Sequence, residues 1–102
     1  MTYTRKQVLD NLDMVIESAQ KAKIVLRKQK CEAEANDLME FQQILKVQRI
    51  YFLDTRDYCP LELISAMRLC AWCSEQIAKR TEKAKRKAFR QIMAFKNIER
   101  LK

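Results

Sequence analysis

The chain has 102 residues, 48% hydrophobic and 33% charged, with a formal charge of +8, four cysteines, one proline, no glycine and no histidine. That apolar fraction supports one modest core and excludes a disordered tail, while the missing glycine excludes a P-loop and a dinucleotide fingerprint. The missing histidine removes the usual proton carrier near neutral pH.

A first helix is expected over about 4–29. Thr4-Arg5-Lys6-Gln7 has the capping-box form, in which the Thr and Gln side chains satisfy each other's otherwise unpaired backbone donors. Val8, Leu12, Val15, Ala19, Ala22 and Leu26 then recur in steps of three and four, widened by Leu9 and Ile16. KQKCEAEAND follows without a large aliphatic residue, and Asp37-Leu38-Met39-Glu40 offers a second cap. A second helix is therefore expected over about 37–53, forming a hairpin with the first. One continuous helix from 5 to 53 would satisfy the same pattern.

DTRDYCP, residues 54–60, is the clearest break, because proline fits a first helical turn and not a helix interior. A third helix is expected over about 60–98. Leu63, Met67, Cys70, Ser74, Ile77, Thr81, Ala84, Ala88, Ile92 and Phe95 approximate a coiled-coil seam. Such a helix would be roughly 55 Å long against 35 to 40 Å for the first. Its far end, with Ile92, Phe95 and Ile98, is thus expected to meet a second copy of the chain or another protein. The fold class is all-α: a three-helix bundle made of a helical hairpin and a long C-terminal helix, in a single domain.

Charge is unevenly placed: segments 1–30, 31–60 and 61–102 carry +4, −3 and +7. KRTEKAKRKAFRQ, residues 79–91, has seven basic side chains and one acidic one. At about 100° per residue, Lys79, Arg80, Lys83, Arg86, Lys87 and Arg90 share one arc, with Lys85 off it. The arc faces away from the seam. If the first and third helices run parallel, Lys21, Lys23, Arg27, Lys28 and Lys30 reach the same end of the bundle.

A one-signed stripe fits phosphate backbones, whose condensed counterions it would release. The plainer interpretation is a solvated face, partly neutralised by Glu32, Glu34, Asp37 and Glu40. The expected function is non-enzymatic: a nucleic-acid-associated accessory or regulatory protein that contacts DNA or RNA through Lys79, Arg80, Lys83, Arg86, Lys87 and Arg90. Lys23, Arg27, Lys28 and Lys30 are expected as secondary basic contacts. The alternative is a small inhibitor or adaptor docking an acidic protein surface, for example on a nucleic-acid enzyme.

Cys70-Ala71-Trp72-Cys73 has the C-x-x-C form, yet Cys31 and Cys59 supply no second pair at matching spacing, so no metal or other cofactor is expected. Cys70 reads as a small core residue, Cys73 as a flank residue and Trp72 as buried, since Leu61, Ile64 and Leu69 make its helix apolar nearly all round. No run of roughly 18 uncharged residues exists for a membrane span, and acids interrupt any secretory leader. A cytoplasmic protein is expected, or a nuclear one in a eukaryotic host, with reduced thiols.

Overall fold

The computed structural model describes the backbone of residues 3–55 and 57–100 and the side chains of residues 3–55 and 57–94. Three helices and no strands occur among the described residues: α1 (Arg5–Lys28), α2 (Glu32–Asp54) and α3 (Pro60–Arg100). They pack as the all-α three-helix bundle that the pattern predicts. Among the described residues no helix is long and apolar enough to cross a membrane.

Capping chemistry explains where α1 begins. The Gln7 backbone N–H donates to Thr4 Oγ1 at 3.1 Å and the Thr4 N–H to Gln7 Oε1 at 2.9 Å. Two donors that the first turn would orphan are thereby satisfied. The Arg5 guanidinium donates to the carbonyls of Phe52 and Leu53, which closes the last turn of α2 against the start of α1.

The junction of α1 and α2 is tighter than the sequence suggests. Lys30 lies in the left-handed region at φ 60°, the Lys30 N–H donates to Arg27 O at 3.0 Å, and the Cys31 N–H donates to Leu26 O at 2.8 Å. These two bonds form the helix-closing motif usually built on glycine, here with lysine at the left-handed position. The hairpin is therefore real, and the continuous helix is not observed. α2 starts at Glu32 and not near 37, and Asp37 lies past its first turn, where it pairs with Arg80. KQKCEAEAND looked coreless because what it buries is small: Cys31 and Ala35.

α1 is the hub of the bundle, packing along both neighbours, while α2 and α3 touch each other least. Leu12, Val15 and Ala19 of α1 meet Leu38, Phe41 and Leu45 of α2 and Ala66, Cys70 and Ile77 of α3 in one apolar cluster. Gln42 is buried among them yet fully satisfied: it donates to Ile16 O at 3.3 Å and Gln20 Oε1 at 3.1 Å, and accepts from Lys23 Nζ at 3.0 Å. Leaving any of these groups unpaired would cost about 1–3 kcal/mol, so Gln42 fixes the register of α2 on α1.

α3 runs parallel to α1 and antiparallel to α2. Asn11 Nδ2 reaches Met67 Sδ at 3.5 Å, Tyr51 donates to Glu62 at 2.9 Å near the start of α3, and Arg80 meets Asp37 further along. The buried side of α3 is Leu63, Ala66, Cys70, Cys73, Ile77 and Ala84. This corrects the expected seam at five described positions, because Met67, Thr81 and Ala88 are only half-buried and Ser74 and Ile92 are exposed. Ala66, Cys70, Cys73 and Ala84 make this side mostly small, and the larger Met67 lies at its flank. Cys73, expected at the flank, is fully buried, and Trp72, expected in the core, is 48% exposed.

Candidate nucleic-acid interface

At 41 residues α3 is about 60 Å long, against 24 residues for α1. Ala84 is its last buried residue among those described; Phe89, Ile92 and Met93 are exposed. Of the three residues expected at an interface, Ile92 is exposed, and the side chains of Phe95 and Ile98 lie outside the described residues.

Where α3 leaves the bundle, a shallow groove of about 580 Å³ opens beside the α1–α2 turn. Five cations line it: Lys79, Lys83, Arg86, Lys87 and Arg90. Glu34 and Glu82 supply its carboxylates, and Ala84 and Cys31 its apolar lining. Lys79, Lys83, Lys87 and Arg90 stand at i, i+4, i+8 and i+11 along one helix face, in steps of about 4.5–6 Å over about 16 Å.

Several of these charges have local partners. Lys79 pairs with Glu75 at 3.1 Å, Arg86 with Glu82 at 3.7 Å and Lys83 with Glu34 at 3.9 Å. Exposed pairs of this kind contribute about 0–1 kcal/mol and exchange readily with another anion. Among the described residues no carboxylate pairs with Lys87 or Arg90. The groove therefore keeps an uncompensated positive end.

Arg80 differs from its neighbours in the stripe. Its Nε donates to Asp37 at 3.0 Å, its Nη1 donates to Gln76 O and Oε1, and its guanidinium lies 4.9 Å above the Phe41 ring. It ties α3 to α2 and does not line the groove. Lys85, the basic residue off the arc, faces Lys21 and Val25 of α1 on another side of α3.

The basic end of α1 does reach the same end of the bundle, but none of Lys23, Arg27, Lys28 and Lys30 lines the groove. Lys23 is bonded to Gln42, and partial burial, then Arg27 and Lys46, lower its pKa. None of the four therefore shares the groove that the α3 cations line.

Glu34, expected to neutralise part of this end, does pair with Lys83, whereas the exposure of Trp72 is what the sequence did not give. Helical phase alone sets Trp72 on the side of Lys79 and Arg90, and Leu61, which lent weight to its burial, is itself 71% exposed. The thiols offer no comparable site. Cys31, Cys59, Cys70 and Cys73 are free; burial pushes Cys70 up to about 11, and burial likewise raises Cys73. Both stay protonated, and so unreactive, near neutral pH. No protein-family model, curated protein or solved structure matches the chain.

Proposed function

We propose that this protein binds the phosphate backbone of nucleic acid through the outward face of α3, as a non-enzymatic accessory or regulatory factor acting in the cytoplasm or nucleus. The observation that carries this reading is the convergence of five cations on one groove that holds an uncompensated end at Lys87 and Arg90. Lys79, Lys83, Arg86, Lys87 and Arg90 act by charge and position; they carry no base code. Arg80 holds the groove's edge in place from its contacts to Asp37 and Gln76.

The test is fluorescence anisotropy of labelled DNA and RNA across salt concentration. Each phosphate neutralised adds about 0.7 to 0.9 to the slope of log K against log salt, so three to five contacts give a slope of about −2 to −4.5. The triple variant Lys83→Glu, Lys87→Glu, Arg90→Glu should flatten that slope toward zero. No binding near 100 mM salt (roughly a 10 Å Debye length), or an unchanged slope in the variant, would sink the reading.

One observation favours the second reading, a protein-docking adaptor or inhibitor. Val47, Tyr51 and Leu61 border an open cleft of about 400 Å³ between α2 and α3, with Ile44 and Ile50 exposed nearby. Contiguous apolar surface of this kind marks interaction sites. Self-association is a separate possibility that sedimentation equilibrium checks: Val47→Asp with Leu61→Asp should convert any dimer built on this cleft to monomer, and a native monomer at every concentration excludes it.

A further inference from the structure

Trp72 is the sole tryptophan of the chain and is 48% exposed. It precedes Lys79 by two helical turns, about 10 Å along the axis, so indole and cations open on the same side of α3. Phe41 braces the indole from α2: the rings meet edge to face with centroids 5.4 Å apart at 87°. The neighbouring wall of α2 is acidic. Its Glu34 pairs with Lys83 and its Asp37 with Arg80, and Glu40 follows one turn later.

We infer that the ligand is single-stranded nucleic acid, whose phosphates follow Lys79, Lys83, Lys87 and Arg90 while an unpaired base stacks on Trp72. This rests on the phosphate reading above and narrows it. A duplex hides its base faces in its own stack and has nothing to lay on the indole. It would also bring a second phosphate strand toward Glu34 and Asp37, where like charges repel. A single strand needs only one row of cations and one ring face. Because every base has such a face, the interaction tolerates sequence.

The experiment uses the full chain and its own fluorescence. An oligo-dT of about 15 nucleotides and a duplex of the same length are titrated at several salt concentrations, spanning the usual site sizes of such proteins. The single strand is expected to quench Trp72 and to bind more tightly than the duplex at matched salt. Trp72→Leu is expected to lose about tenfold in single-strand affinity with its salt slope unchanged, and Trp72→Phe to recover part of that loss. Circular dichroism confirms that both variants keep their helices.

Duplex binding as tight as single-strand binding, or an unquenched tryptophan, or Trp72→Leu with native affinity, overturns the inference. If a salt-dependent slope persists in any of those cases, the phosphate reading survives without it. Binding of neither ligand overturns both.

Discussion

The two halves of α3 share one apolar rhythm and have opposite fates. From Leu63 to Ala84 the helix keeps a buried side, with small residues at Ala66, Cys70, Cys73 and Ala84. Past Ala84 the cover thins: Ala88 is only half-buried, and Phe89 is 64% and Ile92 55% exposed. Periodicity states which side of a helix is apolar; only the lengths of its neighbours decide whether that side is covered. The basic groove forms at the boundary, where the bundle still braces α3 and no longer encloses it.

The comparison breaks most sharply under truncation of matched residues. Ile77 is buried and Ile92 is not. Ile77→Ala should cost about 2–4 kcal/mol, from lost burial and the cavity left behind, whereas Ile92→Ala should stay within about 0.5 kcal/mol. Urea unfolding followed by circular dichroism checks both. Equal costs would mean that the outer half is covered in solution, by a second copy or by another part of the chain.

A smaller effect separates the halves by pH. Burial, with a lesser push from Cys73, raises Cys70 from 9.0 to about 11, so the folded chain keeps a proton that the unfolded chain releases above pH 9. The stability this provides is complete below pH 9 and is lost as pH rises through about 11, a loss of about 2–3 kcal/mol. Tyr51 is raised, chiefly by its hydrogen bond to Glu62, and Lys23 is lowered, chiefly by burial. The difference between native protein and Cys70→Ala isolates the thiol. Parallel stability curves across that range would show Cys70 to be solvated.

Much of this architecture was legible in the sequence, and the gaps have physical causes. Thr4 and Gln7 form a local box whose two bonds depend on nothing distant, so the start of α1 could be read directly. Pro60 marks the start of α3 for a similarly local reason. The start of α2 could not be read, because Lys30 adopts a left-handed conformation that glycine normally supplies and the buried residues beside it are Cys31 and Ala35. The cation stripe followed from helical phase alone. Its pairing with Glu34 and Asp37 depends on how α2 lies against α3, and the exposure of Trp72 depends on how little those two helices touch. Neither is a property of one helix.

The α1–α2 turn that carries Cys31 to the groove offers the next test. Lys30 holds φ 60°, a conformation that costs a residue with a Cβ roughly 1–2 kcal/mol. Lys30→Gly should therefore stabilise the protein by about 0.5–1 kcal/mol, after allowing for the greater freedom of glycine in the unfolded chain. Thermal unfolding at fixed pH measures it. A destabilised variant would imply that the lysine side chain makes a contact worth more than the backbone relief. The groove should be unaffected, since Lys30 does not line it.

The smallest effect on stability bears most directly on the boundary between the halves. Glu34 is the α2 carboxylate in the groove and lies 3.9 Å from Lys83, whose side chain is largely exposed. A pair at that distance and exposure contributes little to folding, so Glu34→Gln should change stability by less than about 0.5 kcal/mol. It nevertheless removes a negative charge from a site proposed to hold phosphate. Affinity for single-stranded oligonucleotide should then rise about two- to fivefold at low salt, and the gain should shrink as salt screens it. If Glu34→Gln instead weakened binding, Glu34 would be positioning Lys83 for the ligand and not competing with it, and the α2 wall would belong to the site as much as α3 does.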